Sequence, residues 1–222
     1  MNRGMLPLLA LLCSAVPLTA AEPTARITID RNQDTAATKD FHFARVPAPA
    51  ADDAAAHAQL TLIAGKIDSG SSGLPALNDG VLPTDADQPQ SSLFFQRGTW
   101  GGRVRFDFGA PIVVAAISSY SWHPDSRAPQ LYKVYGSSGR EPRLDLQPPS
   151  SVDPAAAGWN LIAFVDTRAD HDEGGQYGVR IDGPDGSLGR YRYLLFDFFD
   201  TEGDDNWGNT FYSEIDVLEG KR

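Results

Sequence analysis

Apolar residues recur at every second position along most of this sequence. Residues 103–108 alternate strictly between charged and apolar side chains, which is typical of a β-strand with one buried face. Residues 112–117 and 191–199 are more continuously apolar, as in strands buried on both faces. The same two-residue period marks six further segments, at 26–30, 59–64, 131–135, 161–165, 177–182 and 211–218.

Turn-forming residues separate these segments, since the chain holds 21 Gly and 16 Pro. Residues 50–57 are the one helix candidate, and they lack an apolar stripe. Many short alternating strands with turns between them predict an all-β fold, an antiparallel β-sandwich.

The first 21 residues have the pattern of a secretory signal peptide. Arg3 gives a basic start, residues 5–16 are mostly apolar, and residues 19–21 are small. We expect cleavage after Ala21 and a secreted or periplasmic protein; the alternative is an uncleaved anchor. The apolar run is too short to span a bilayer stably, so no membrane insertion is expected. Cys13, the only cysteine, lies in this segment, which excludes disulfides and thiolate sites from the mature chain.

The charge of the chain limits the kinds of partner it can have. It has 19 Lys and Arg against 29 Asp and Glu, a net charge of −10. Nucleic-acid binding and attachment to anionic lipid both need clustered basic residues. Neither partner is expected.

Composition divides the chain into four parts. Residues 1–21 are the signal peptide, and residues 22–58 form an N-terminal extension in which 26–30 are expected to add an edge strand. Residues 59–219 carry the sandwich domain, and residues 220–222 form a short tail.

Signatures of catalysis are missing from the sequence. It has no Gly-x-Ser-x-Gly elbow, no phosphate-binding loop and no zinc-like spacing of its histidines. The acidic run 197–205 does not match an EF-hand, because the twelfth position is Phe211 rather than an acid. No catalytic constellation can be assigned.

Three segments in order, residues 77–84, 113–139 and 211–217, resemble the discoidin, or coagulation-factor type C, superfamily of galactose-binding-like domains. Their order and spacing match along 59–219. The resemblance implies a jelly-roll sandwich whose usual role is binding, often of glycans, rather than chemistry.

The resemblance also implies a structural calcium ion. Asp79, Thr84 and Glu214 stand where relatives place calcium ligands, and hard oxygen ligands are those that Ca²⁺ prefers. The alternative is that residues 78–80, Asn-Asp-Gly, are simply a favourable turn.

Glycan-binding relatives use the loop between two central strands and an aromatic residue from the loop before the last strand. The corresponding residues are Trp122, His123, Arg127, Gln130 and Trp207. An indole offers an apolar platform for a sugar face, and the polar groups can bond its hydroxyls.

Two alternatives remain for these loop residues. Trp122 could belong to the core, and Arg127 could brace its loop by pairing with Asp125 or with the acidic run 197–205.

The sequence therefore predicts an exported, non-catalytic module that binds carbohydrate, such as a cell-surface glycan. The alternatives are a secreted polysaccharide hydrolase or lyase on the same fold, and an interaction domain for a protein partner in a cell-surface assembly.

Overall fold

The computed structural model describes residues 25–168, 174–202 and 208–220, which form eight β-strands and five short 3-10 helices. The signal peptide and Trp207 lie outside these residues. The strands are β1 (Arg26–Asn32), β2 (Gln59–Gly65), β3 (Gly101–His123), β4 (Leu131–Ser137), β5 (Asn160–Asp166), β6 (Gly175–Asp182), β7 (Gly189–Phe199) and β8 (Tyr212–Glu219). The 3-10 helices are Asp34–Ala36, Ala55–His57, Leu74–Leu77, Pro89–Ser91 and Pro154–Ala157.

Strand β3 runs through both layers of one continuous eight-stranded sheet; the two layers are called here the first and the second sheet. Its first part pairs with β2 and β7, and its second part pairs with β6 and β8. Between Asp107 and Ile112 its register against β7 shifts, and Gly109 there has a φ of +76°, a conformation that glycine adopts without strain. The first sheet has the order β2-β3-β7-β4-β5, and the second has the order β1-β6-β3-β8.

Every pairing between these strands is antiparallel. The predicted all-β antiparallel sandwich is confirmed, and each predicted strand overlaps an observed one. The helix candidate at 50–57 contains only the 3-10 turn Ala55–His57.

The inner faces of the two sheets form the main core. Alternate residues of each strand point inward, as the two-residue period predicted. The first sheet contributes the aromatic rings of Phe106, Phe196 and Phe198, and the second contributes branched residues such as Val179 and Ile215. All five side chains are almost fully buried.

The N-terminal extension covers the outer face of the second sheet. Phe41, Phe43 and Val46 pack against Tyr120 and Trp122 in a separate buried cluster. Strand β1 pairs with β6 at the edge of the same sheet, as the alternation at 26–30 predicted.

Hydrogen bonds fix this cover. The Tyr120 hydroxyl donates to the Pro47 carbonyl at 2.8 Å, and the Ala50 N–H donates to Asp216 Oδ2 at 3.0 Å. A Cβ at Gly178 would lie 2.7 Å from the Phe43 ring, so glycine lets the cover approach the sheet closely.

Residues 138–159 cover the outer face of the first sheet in a similar way. Trp159 packs on Tyr135, Tyr193 and Leu195, and its indole N–H donates to the Asp145 carbonyl at 2.7 Å. With much of both outer faces covered, the loops at the ends of the sandwich become the natural place for a site. Among the described residues, no helix is long and apolar enough to cross a membrane.

Candidate functional site

Three loops meet at the end of the sandwich where β3 both begins and finishes, as expected for loops at one end of a sandwich. They are 87–100 before β3, 124–130 after β3, and residues 200–202 and 208–211 of the segment between β7 and β8. The Phe211 N–H donates to the Arg127 carbonyl at 3.0 Å, and the Thr201 hydroxyl donates to the Ser126 carbonyl at 3.2 Å. These bonds bring together side chains that are about 80 residues apart in sequence.

Arg127 lies at the centre of these loops. Its guanidinium carbon is 4.1 Å from the centre of the Phe211 ring and 4.7 Å from that of Phe94. The two rings stack on each other at 4.2 Å, and Arg127 Nε donates to the Asn209 carbonyl at 3.1 Å. A cation over aromatic faces is attracted by their quadrupoles. Arg127 therefore braces all three loops, through aromatic rings and a carbonyl.

His123 lies beside this cluster, with its ring edge-on to Phe211 at 4.8 Å. The Asp125 N–H donates to His123 Nδ1 at 3.1 Å, so Nε2 carries the proton of the neutral ring. That nitrogen faces Asp87 Oδ1 at 3.7 Å. Burial, and then the charge of Arg127, lower the pKa of His123. The residue is a neutral donor at physiological pH.

Trp122 and Gln130 do not lie where a ligand could reach them. Trp122 is 5% exposed, packs on Phe41, and donates its indole N–H to Asp34 Oδ1 at 3.0 Å. It belongs to the core under the N-terminal cover, which was the alternative left open by the sequence.

Gln130 is fully buried inside the sandwich. Its Oε1 accepts from the Ser119 hydroxyl at 2.5 Å, and its Nε2 donates to the Ser121 hydroxyl at 3.1 Å. Its hydrogen bonds are used within the protein, so the expectation that Trp122 and Gln130 contact a ligand is corrected.

Sequence reasoning missed three residues of this end. Phe94 and Phe211 form the stack under Arg127, and Asn209 fastens its loop by donating from Nδ2 to the Gln96 carbonyl at 3.3 Å. Within the described part of the chain, Asn209 Oδ1 is buried without a hydrogen-bond partner. Only the position of Asn209 beside Trp207 could have drawn attention to it.

Of the residues expected to bind calcium, Glu214 lies near this end, in the first half of β8, and Asp79 lies in the turn that contacts it. Glu214 is 1% exposed, and its Oε2 accepts from the Gly80 N–H at 2.9 Å. Asp79 precedes that glycine, and its Oδ1 accepts from the Val81 N–H at 2.9 Å. The turn at 79–81 is thus held directly against Glu214.

Glu214 sits in strongly acidic surroundings. Burial, followed by the charge of Asp216 and then those of Asp79 and Asp53, raises the pKa of Glu214 to about 9. No Lys or Arg pairs with Glu214 among the described residues. A carboxyl group in such a place holds a proton or lies next to a cation.

Thr84 is exposed and turns toward Gln88, to whose Oε1 its backbone N–H donates at 2.6 Å. The described residues contain no group of three or more His, Cys, Asp or Glu side chains arranged to hold a metal ion. A cation here would therefore depend on Asp79, Glu214 and uncharged oxygen atoms.

No protein-family model matches the sequence, and the comparison with curated proteins found no significant match. Solved structures that align with this chain include a CBM32 module of a GH31 protein bound to GalNAc, at 15% identity and a TM-score of 0.47, with 74% of this chain and 99% of that chain covered. A Clostridium perfringens CBM32 module from a family 31 glycoside hydrolase aligns at 12% identity and a TM-score of 0.44, with 72% of this chain and 93% of that chain covered. The CBM32 of AlyQ, in complex with 4,5-unsaturated mannuronic acid, aligns at 14% identity and a TM-score of 0.41, with 72% of this chain and 93% of that chain covered.

At such identities and TM-scores the similarity to these modules carries no argument about this chain. What the chain binds has to be argued from its own residues.

Proposed function

We propose that this chain is an exported, non-catalytic module that binds carbohydrate at the loop end of its sandwich. The observation that carries the proposal is the meeting of three loops around Arg127, Phe94 and Phe211. The apolar run at residues 5–16 supports export.

The chemistry of this end suits a sugar, which has an apolar C–H face and many hydroxyl groups. Such a ligand needs an aromatic or apolar platform and a few donors held in fixed positions. His123 is nearly as buried as Trp122, and its Nε2 faces Asp87 at 3.7 Å, so Arg127 is the donor expected to reach a sugar hydroxyl. Trp207 is the platform implied by the family resemblance. The bonds that join the loops fix the site before the ligand arrives, which lowers the entropic cost of binding.

A single shallow site of this kind is expected to bind weakly, with a Kd between about 10 μM and 1 mM. Arg127→Ala removes the group that holds the three loops together. We expect it to weaken binding at least tenfold in isothermal titration with the glycan that binds best on an array. The fold should survive, since a cation over two rings contributes only about 1–2 kcal/mol.

Arg26→Ala is the matched control, because it removes the same charge at the opposite end of the sandwich. In β1, Asn32 pairs with Gln176, which also pairs with Trp122 close to the loop end, whereas Arg26, at the other end of the strand, pairs with Asp182. Arg26 therefore lies far from the loop end. Trp207→Ala should weaken binding as Arg127→Ala does. Unchanged affinity in both Arg127→Ala and Trp207→Ala would place the ligand elsewhere.

We also propose that a calcium ion binds between Asp79 and Glu214 and stabilises this end. The fit rests on a buried carboxylate that accepts a hydrogen bond from Gly80 and lies near the Asp79 charge. Uncharged oxygen atoms, such as backbone carbonyls or the Thr84 hydroxyl, would complete the coordination.

Calcium that binds only the folded state raises stability by about 2.7 kcal/mol at 100 times its Kd. For a domain of this size that is an increase of about 5–10 °C in melting temperature. Asp79→Ala should abolish the increase, while Asp185→Ala, an exposed acid in another turn, should retain it. Identical melting of the wild type in calcium and in chelator would show that 78–80 is only a turn.

A further inference from the structure

A polar groove lies beside the loop end, between the N-terminal extension and the loop after β3. Its volume is about 480 Å³, within the range of sites that hold small ligands. Residues 33–35 form one wall, Pro124 and Asp125 form the other, and Arg31 and Gly174 close it. The wall formed by residues 33–35 belongs to the N-terminal extension, residues 22–58, which lies outside the family resemblance.

The walls of the groove are fixed by hydrogen bonds. Asp34 accepts from the buried indole of Trp122 at 3.0 Å, and Arg31 Nη2 donates to the Gly174 carbonyl at 2.6 Å. Arg31 also lies over the Tyr177 ring at 5.8 Å. The groove is therefore formed before any ligand binds, as a selective site requires.

Four side chains that line the groove offer polar groups to a ligand. They belong to the lining residues Gln33, Asp34, Thr35 and Asp125, which carry an amide, two carboxylates and a hydroxyl. Within the described part of the chain, the Gln33 and Thr35 side chains make no hydrogen bond, and each carboxylate uses only Oδ1. All four residues are exposed. A set of side chains that contains both donors and acceptors suits the hydroxyl groups of a sugar.

The charge of the groove limits which sugars it can bind. Among the described residues that line it, two are carboxylates, and the one cation, Arg31, is held by Gly174 and Tyr177. Uronates, sulfated sugars and phosphates would be repelled, all the more by a chain of net charge −10.

The groove and the loop end share one wall. Asp125 is two residues from Arg127 in sequence, which limits their Cα separation to about 7 Å. Asp125 also donates its N–H to His123. A ligand at the loop end could therefore extend into the groove without leaving the surface.

We propose that this groove is a second sugar subsite that takes an uncharged pyranose next to the one bound at the loop end. The module then recognises oligosaccharide chains rather than single sugars. This inference rests on the proposed function and deepens it.

The test is isothermal titration with three neutral series of one to four residues, the β-1,4-linked oligomers of galactose, glucose and N-acetylglucosamine. We expect the wild-type Kd to fall at least tenfold from monosaccharide to trisaccharide in the series that binds. Thr35→Met and Gln33→Met should each remove that gain, because they present apolar groups to sugar hydroxyls. Both should leave the monosaccharide Kd within about twofold, since the loop end is untouched.

Thr38→Met, an exposed position in the same segment but outside the groove, should retain the gain. Equal affinity of the wild type for all lengths, or a gain that survives in both groove variants, would overturn the subsite while leaving the loop-end site in place. Absence of wild-type binding to every member of the three series would also overturn it. Loss of monosaccharide binding in Arg127→Ala tests the loop-end site separately.

Discussion

Asp197→Ala is expected to lower the free energy of unfolding by about 3–5 kcal/mol, because it leaves the Arg103 guanidinium buried without its counter-charge. Both side chains are 4% exposed, and two parallel hydrogen bonds of 2.8 and 3.0 Å join them. Arg103 Nη1 also donates to the carbonyls of Pro149 and Val152 at 2.7 and 2.8 Å. The pair therefore anchors the segment that covers the first sheet.

Asp107→Ala is the matched control. Asp107 forms the same two-bond pair with Arg192 across β3 and β7, at 2.9 and 3.1 Å, but the Arg192 side chain is 38% exposed. Water screens such a pair, so its loss should cost much less than that of Asp197. Urea unfolding of the two variants measures the difference. Equal losses of stability would show that burial does not set the strength of the Arg103 pair.

Phe41→Ala is expected to cost about 3–5 kcal/mol, because it opens a cavity under the N-terminal cover. The Phe41 ring is fully buried and packs edge-on against Phe43, Tyr120 and Trp122, with ring centres 5.8–6.4 Å apart. The extension would then be part of the folded unit rather than an appendage.

His42→Ala, at the exposed neighbouring position, should leave the unfolding free energy unchanged within error. The same urea titrations compare the two variants. A Phe41→Ala protein as stable as His42→Ala would mean that the cover is not needed by the sandwich.

The strands could be predicted from the sequence because a sheet with one buried face imposes its two-residue period on the residues themselves. Arg105 and Phe106 show this directly, since one side chain points outward and the next lies in the core. The meeting of the loops could be predicted too, because loops at one end of a sandwich lie close together whatever their separation in sequence.

The surroundings of individual side chains could not be predicted in this way. The two-residue alternation along β3 places Trp122 on the outer face of its sheet, and a residue there is exposed unless another part of the chain covers it. The cover comes from Phe41 and Phe43, about 80 residues away, and no local pattern shows that contact. The ring stack of Phe94 and Phe211 under Arg127 is equally non-local, and this stack makes the arginine a brace.

A glycan array probed with residues 22–222, in calcium and in chelator, tests the proposed function most directly. Every bound glycan is then incubated with the protein and assayed for new reducing ends and unsaturated sugars. We expect binding to a limited set of neutral glycans, weaker in chelator, with no product released. Release of either product would make the chain a hydrolase or lyase, and absence of binding to any glycan would contradict the proposal.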